Sequence, residues 1–113
     1  MKRIYVAGAM SADNITDFLA NLRRGIALTV RVIKAGYAPF CPFIDFQWSL
    51  VAPIEQSEYK AYSMAWLEAA DAVLYVQENV ETSPGTQAEI ARAEELGIPV
   101  YGSLSELSRS LPA

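Results

Sequence analysis

A short apolar run, Ala72-Val73-Leu74-Tyr75-Val76, is followed a few residues later by Ser83-Pro84-Gly85-Thr86-Gln87-Ala88-Glu89, which opens a segment of helical period. The run has the length and composition of a buried strand. The helix ends near Gly97, before Pro99. A strand that turns into a helix in this way is the repeating step of α/β folds, and the end of such a strand is where those folds hold ligands. Ser83 is a good N-cap, Pro84 suits the first helical position, and Gly85 lets a ligand approach the backbone. Free amides at such a helix start attract anions.

At about 100° per residue, Thr86, Ile90, Ala93 and Leu96 share one arc of this helix, the arc that should face the sheet. Glu89 falls inside it. An inward carboxylate needs a partner, a raised pKa or a cavity. Position alone leaves two readings of Glu89 open, a carboxylate paired at the edge of the core and a functional group in a cleft.

The other segments repeat the alternation. Lys2 to Ala7 reads as a first strand and Gly8-Ala9-Met10-Ser11 as a tight connection. Asn14 caps a helix over 15–35, with Asp17 three residues on. Its apolar line is Ile15, Phe18, Leu22, Ile26, Thr29 and Ile33, and Gly36 ends it. A short second strand covers Tyr37 to Pro42, limited by Pro39 and Pro42. Phe43 to Glu55, with Asp45, Gln47 and Trp48, reads as a loop that either clasps a flat ligand or merely covers the sheet edge. A helix over Glu55 to Ala70 turns Tyr59, Tyr62, Ser63, Trp66, Leu67 and Ala70 to one side. A fourth strand, Ile98 to Tyr101, and a last helix, 104–110 behind Ser103, complete the chain. The pattern predicts one α/β domain over residues 1–113. It has three layers and an open parallel sheet of four to five strands, order 2-1-3-4, flavodoxin-like or Rossmann-like. In that order the Gly8 turn and the Ser83 turn share a crevice.

Composition narrows the chemistry. With 52% of its 113 residues hydrophobic, the chain can bury a core. Its apolar runs are too short to span a membrane, and the basic pair Lys2-Arg3 leads into a strand, not a signal peptide. A net charge of −4 argues against a nucleic-acid polymer as partner but not against a small anion in a local pocket. The single cysteine, Cys41, excludes an intrachain disulfide and suits the cytoplasm. There is no histidine, so proton transfer falls to carboxylates, tyrosines or lysines. No carboxylates have calcium-loop spacing, so neither a metal nor a cofactor is expected.

Taken together, Ile4-Tyr5-Val6-Ala7-Gly8, the segment Trp66 to Val73, Ser83-Pro84-Gly85-Thr86-Gln87-Ala88-Glu89-Ile90 and Leu96-Gly97-Ile98-Pro99-Val100 resemble the nucleoside 2-deoxyribosyltransferase superfamily. The resemblance covers most of the chain. That superfamily contains transferases and 2'-deoxynucleoside 5'-monophosphate N-glycosidases. The resemblance implies that Glu89 is the nucleophile at the anomeric carbon, with a covalent glycosyl-enzyme resolved by a second base or by water. It implies that Ser83, six residues earlier, holds a 5'-phosphate where the transferases hold a 5'-hydroxyl with an aspartate; Ser83 is equally a plain N-cap. Tyr5 matches a tyrosine near the active site, Gln47 a glutamine that contacts the base, and the backbone of Gly8, Ala9 and Met10 would close the phosphate site. Family members form dimers or larger assemblies that complete their sites from a neighbour, so a homo-oligomer is expected.

One departure matters. The family's proton-donating aspartate lies eight residues before the acidic residue matching Asp71, and Ser63 stands there. A serine cannot supply a proton at neutral pH as a carboxylic acid can. Asp45 could reach the base from the long loop. Three readings follow: an enzyme acting on the N-glycosidic bond of a nucleoside or nucleoside 5'-monophosphate, a nucleotide-binding or regulatory protein that has lost turnover, and a structural domain in which Glu89 is merely paired.

Overall fold

The computed structural model describes residues 1–113. Four strands, β1 (Arg3–Ala7), β2 (Ala38–Phe40), β3 (Ala72–Tyr75) and β4 (Val100–Tyr101), form one sheet of order β2-β1-β3-β4 in which every pairing is parallel. Helices α1 (Ile15–Lys34) and α4 (Leu104–Ser110) cover one face, and α2 (Gln56–Glu68) and α3 (Pro84–Glu95) the other. This is the expected flavodoxin-like arrangement.

Strand alternation divides the core in two. Ile4, Val6, Leu74 and Val76 pack with Leu22, Val32 and Leu107 of α1 and α4. Tyr5, Ala7 and Val73 point the other way and pack with Leu67 of α2 and Ala93 of α3. Tyr5 is therefore aimed at the α2/α3 layer by its place in β1. The chain leaves β1 toward one face and β3 toward the other, so a crevice opens at their carboxyl ends.

The helix ends follow local chemistry. The Asn14 side chain accepts from the Asp17 N–H at 2.8 Å. Gly36 and Gly97 stop α1 and α3 at φ of +95° and +72°, a conformation that favours glycine. The Glu58 carboxylate accepts from the Glu55 N–H, so α2 begins one residue later than expected. Asp71 accepts from the Arg3 N–H at 2.8 Å and ties the end of α2 to β1.

Four expectations are corrected. Residues 42–50 are not an irregular loop but a 3-10 helix, Pro42–Leu50. Pro42 presets its first turn and the fully buried Phe43 anchors it. The inward line of α1 runs through Asn21, Leu22, Gly25, Thr29 and Val32, leaving Ile15 and Ile33 68% and 54% exposed. The reason is Gly25: the Phe43 ring lies so close that a Cβ there would sit 2.3 Å from its carbons, and this contact fixes the seat of the helix. On α2, Trp66 is 53% exposed although it shares the face of Leu67, because it lies flat on Phe40 at the sheet edge. Leu96, placed on the inward arc of α3, is also exposed, since the helix ends just before it.

Candidate active site

Glu89 sits one turn into α3, on the side that meets β1. The Tyr5 hydroxyl donates to its Oε2. The two residues are 84 positions apart in sequence, so the pairing exists only in the folded sheet. Oε1 has no partner in the chain, yet it is not sealed from solvent. One carboxylate oxygen is thus fixed and the other is reached by solvent. Burial pushes the Glu89 carboxyl up to about 7, and the Tyr5 hydrogen bond opposes that rise. Tyr5 itself is fully buried, and burial together with the charge of Glu89 holds its hydroxyl well above the usual phenol range. Near neutral pH the pair is therefore a neutral phenol beside a carboxyl poised between its two protonation states.

A second carboxyl faces the same place. Asp45 is 8% exposed and accepts a hydrogen bond from the Tyr62 hydroxyl of α2 at Oδ2. Its Oδ1, like Oε1 of Glu89, has no partner and is reached by solvent. Burial raises the Asp45 pKa and the Tyr62 hydrogen bond opposes it. Asp45 also lies within electrostatic range of Tyr5, and the Ser63 side chain lies near the Tyr5 hydroxyl. The 3-10 helix makes this convergence. It crosses the carboxyl edge of the sheet with Phe43 wedged between Gly25 of α1 and the β1 end at Gly8, while Asp45 reaches α2 on the far side.

Aromatic rings wall the site. Phe40 of β2 stacks on Tyr5 with centroids 5.5 Å apart and on Trp66 at 5.6 Å, and the Tyr62 ring meets it edge-on at 6.0 Å. Such a wall accepts flat apolar surface, such as the face of a heterocycle.

The crossing into α3 is built as expected. Ser83 Oγ lies 2.8 Å from Thr86 Oγ1 and accepts from the Thr86 N–H at 3.4 Å. The Gly85 N–H has no partner, and a Cβ at Gly85 would meet nothing within 4 Å. The amides of Gly8, Ala9 and Met10 also make no hydrogen bond within the chain. The crevice thus carries several free N–H groups, which favour an anion or a hydroxyl oxygen. Glycine at position 8 has a packing cause as well, because a Cβ there would come within 2.8 Å of the Phe43 ring. Met10 is fastened at its carbonyl by the Asn21 amide.

Of the residues expected at the site, the structure brings Tyr5, Asp45, Ser63 and Glu89 into one cluster. Gln47 is exposed and makes no hydrogen bond, because the 3-10 turn that directs Asp45 inward carries Gln47 outward. Phe40 and Tyr62 had no assigned role from sequence; the inward face of α2 already contained Tyr62, but its partner lies in the segment read as a loop. No three Cys, Asp or Glu side chains are arranged to hold a metal ion.

The Tyr5 bond can be tested without any substrate. In Tyr5→Phe the Glu89 carboxyl loses the donor that favours its ionised form, so its titration should move above 7. Carboxyl-carbon NMR would follow it. A titration unchanged from wild type would mean the hydroxyl does not act on Glu89.

No family model matches the chain, and no curated protein matches its sequence. Among solved structures, the chain is similar to a 2-deoxyribosyltransferase from the psychrotolerant bacterium Bacillus psychrosaccharolyticus, with a TM-score of 0.59 and 18% identity. The match covers 87% of this chain and 69% of that one. That protein is described as a biocatalyst for the synthesis of antiviral and antitumoral nucleosides. At this identity the likeness is one of fold, and the fold of this chain is that of a 2-deoxyribosyltransferase structure.

Proposed function

We propose that the chain is an enzyme of the nucleoside 2-deoxyribosyltransferase type that breaks the N-glycosidic bond of a nucleoside or nucleoside 5'-monophosphate. One observation carries the reading: Glu89 is held at Oε2 by a buried tyrosine while Oε1 stays open to a crevice at the carboxyl ends of β1 and β3. A carboxylate fixed in this way is suited to attack a sugar carbon.

In the proposed reaction Glu89 Oε1 attacks C1' of the sugar. The bond from C1' to the base nitrogen breaks, and its electron pair leaves with the base, which takes a proton from Asp45. The glycosyl ester on Glu89 is then attacked at C1' by water or by a second base, with Asp45 accepting the proton of the incoming group. Glu89 is regenerated. The aromatic wall of Phe40 and Tyr62 would lie against the base. Ser83, Gly85 and the amides of Gly8 to Met10 would hold the 5' end; a monophosphate is slightly preferred, because a hydroxyl and free N–H groups favour an anion where an aspartate would repel it. Ser63 would take no proton-donating part.

The test is chromatography for free base after incubation with deoxy- and ribonucleosides and their 5'-monophosphates, with and without an acceptor base. Release without acceptor means hydrolysis, and release only with acceptor means transfer. No turnover by folded protein, together with retained nucleotide binding, would replace this reading with a binding or regulatory role.

We also propose that 113 residues of this kind work as one domain and as a homo-oligomer. Ile15 and Leu19 of α1 and Phe46, Leu50 and Val51 beside them are exposed, and the edge contact of Phe18 with Phe46 joins the two sets into one apolar surface. Light scattering at micromolar concentration should give at least twice the monomer mass of 12.4 kDa; a monomeric mass would contradict it. No helix is long and apolar enough to cross a membrane. The free thiol of Cys41 fits the reducing cytoplasm.

A further inference from the structure

Helix α2 holds the 3-10 helix through two of its tyrosines. The Tyr59 hydroxyl lies 3.4 Å from Ser49 Oγ, and one turn later the Tyr62 hydroxyl donates to Asp45 Oδ2. The two contacts look alike but differ in consequence. Ser49 is exposed and has no part in the crevice, whereas Asp45 is buried and has one oxygen left open. A third contact, from the Trp48 indole N–H, reaches the Tyr62 oxygen at 3.5 Å. The Tyr62 ring is also packed edge-on against Phe40. The phenol is thus held by an aromatic contact at its ring and by two polar contacts at its oxygen.

We propose that Tyr62 is a positioning residue for proton transfer at this site: by occupying Oδ2 of Asp45 it leaves Oδ1 as the oxygen that carries the proton and turns it toward the leaving base. The inference rests on the N-glycosidic reading given above. The chain's departure at Ser63 gives the arrangement its purpose. Ser63 stays beside the Tyr5 hydroxyl and cannot act as an acid. The adjacent residue of α2 instead fixes a carboxyl brought in from a different element. A free carboxyl side chain can rotate and present either oxygen; with Oδ2 engaged, one orientation is kept, and a general acid gains from being held in line with the atom it protonates.

The phenol has a second effect, of predictable sign. A donor to a carboxyl favours its ionised form, so Tyr62 holds the Asp45 pKa below the level that burial alone would set. The titratable groups around Asp45 are Tyr62 and Tyr59 of α2, Tyr5 of β1 and, beyond Tyr5, Glu89 of α3. Tyr62 is pushed up to about 12 by burial and by the Asp45 carboxylate, and Tyr5 lies higher still, so both remain neutral donors over the working pH range. Glu89, pushed up to about 7 by burial, titrates within that range.

The experiment compares wild type, Tyr62→Phe, Tyr59→Phe and Asp45→Asn. Free-base release is measured against pH, and the Asp45 carboxyl is titrated by carboxyl-carbon NMR. In Tyr62→Phe, kcat should fall about ten- to a hundredfold with KM little changed. The pH limb governed by Asp45, and its NMR titration, should both move to higher pH. Tyr59→Phe loses a similar strap but should keep the wild-type limb, which separates positioning from mere support of the 3-10 helix. A Tyr62→Phe profile and Asp45 titration superimposable on wild type, while Asp45→Asn loses base release, would overturn the role of Tyr62 and leave the N-glycosidic reading standing. Full base release by Asp45→Asn would overturn the proton-donating role of Asp45 and this inference with it, while the N-glycosidic reading stands; no release by wild type would overturn both.

Discussion

Glu89→Gln should lower base release by more than about 10³-fold and, at pH 8, should unfold at a higher temperature than wild type. The two effects have one cause. Glutamine has nearly the shape of glutamate, and its side-chain oxygen can still accept from Tyr5, but it cannot attack a sugar carbon. The stability effect follows from linkage. The folded-state pKa of Glu89 is about 7, above its ordinary 4.5, so the folded chain holds the proton more tightly than the unfolded chain. The contribution is fully present below about 4.5 and is lost as pH rises through 7. The gap corresponds to about 3 kcal/mol, and relaxation around a partly exposed carboxyl reduces what is realised. At pH 8 the wild type carries that cost and the variant does not. At pH 4 both side chains are neutral and the two melting temperatures should agree closely. Thermal melts at both pH values decide it. A variant less stable than wild type at pH 8 would mean that the Glu89 carboxylate is well solvated and stabilises the fold.

Gly25→Ala should destabilise the protein and damage the site from the opposite face of the sheet. A Cβ at position 25 would lie 2.3 Å from two carbons of the Phe43 ring and 2.4 Å from a third. That ring is fully buried, and its far end already fills the space where a Cβ of residue 8 would be. It cannot retreat without moving the 3-10 helix. Alanine favours helix by about 1 kcal/mol over glycine, but overpacking of this kind costs about 1–3 kcal/mol or more, so the net effect is a loss. Phe43 is two residues from Asp45, and a displacement of about 1 Å at a catalytic group can lower the rate about a hundredfold. We therefore expect a melting temperature lower by several degrees. We also expect a fall in base release at temperatures where the variant is still folded. Gly85→Ala is the control for stability, since a Cβ there meets nothing. A Gly25→Ala protein with wild-type melting and activity would show that Phe43 has room to move and that the 3-10 helix is not pinned by it.

What was legible in the sequence follows from how local each cause is. The strands at 3–7 and 72–75, the caps at Asn14, Ser83 and Ser103 and the stops at Gly36 and Gly97 depend on neighbours within one turn, and each lies where the residues place it. Strand order follows from the right-handed crossover rule. Glu89 was visible because a single carboxylate inside an apolar arc conflicts with its period. Its partner Tyr5 was reached only through family resemblance, because nothing local links two residues 84 positions apart.

Most of what was not legible depends on Phe43. Its insertion against Gly25 and Gly8 joins three segments distant in sequence, and no periodic pattern in 42–50 announces it. That contact rotates the inward line of α1, winds the supposed loop into a 3-10 helix, turns Asp45 in and turns Gln47 out. The Tyr62 hydrogen bond is a consequence of the same event. The sequence contained both carboxyls of the site; their convergence required the packing.

The claim that Glu89 forms a bond to the sugar is tested most directly by mass. The protein would be incubated with a nucleoside, or nucleoside 5'-monophosphate, that it cleaves and that carries fluorine at C2', which slows loss of the sugar from the enzyme. It would then be quenched in acid and analysed intact and after digestion. The account predicts a mass increase of one glycosyl unit, located on the peptide at Glu89 and absent in Glu89→Gln. Stoichiometric release of base with the protein mass unchanged, or an adduct on another residue, would contradict it.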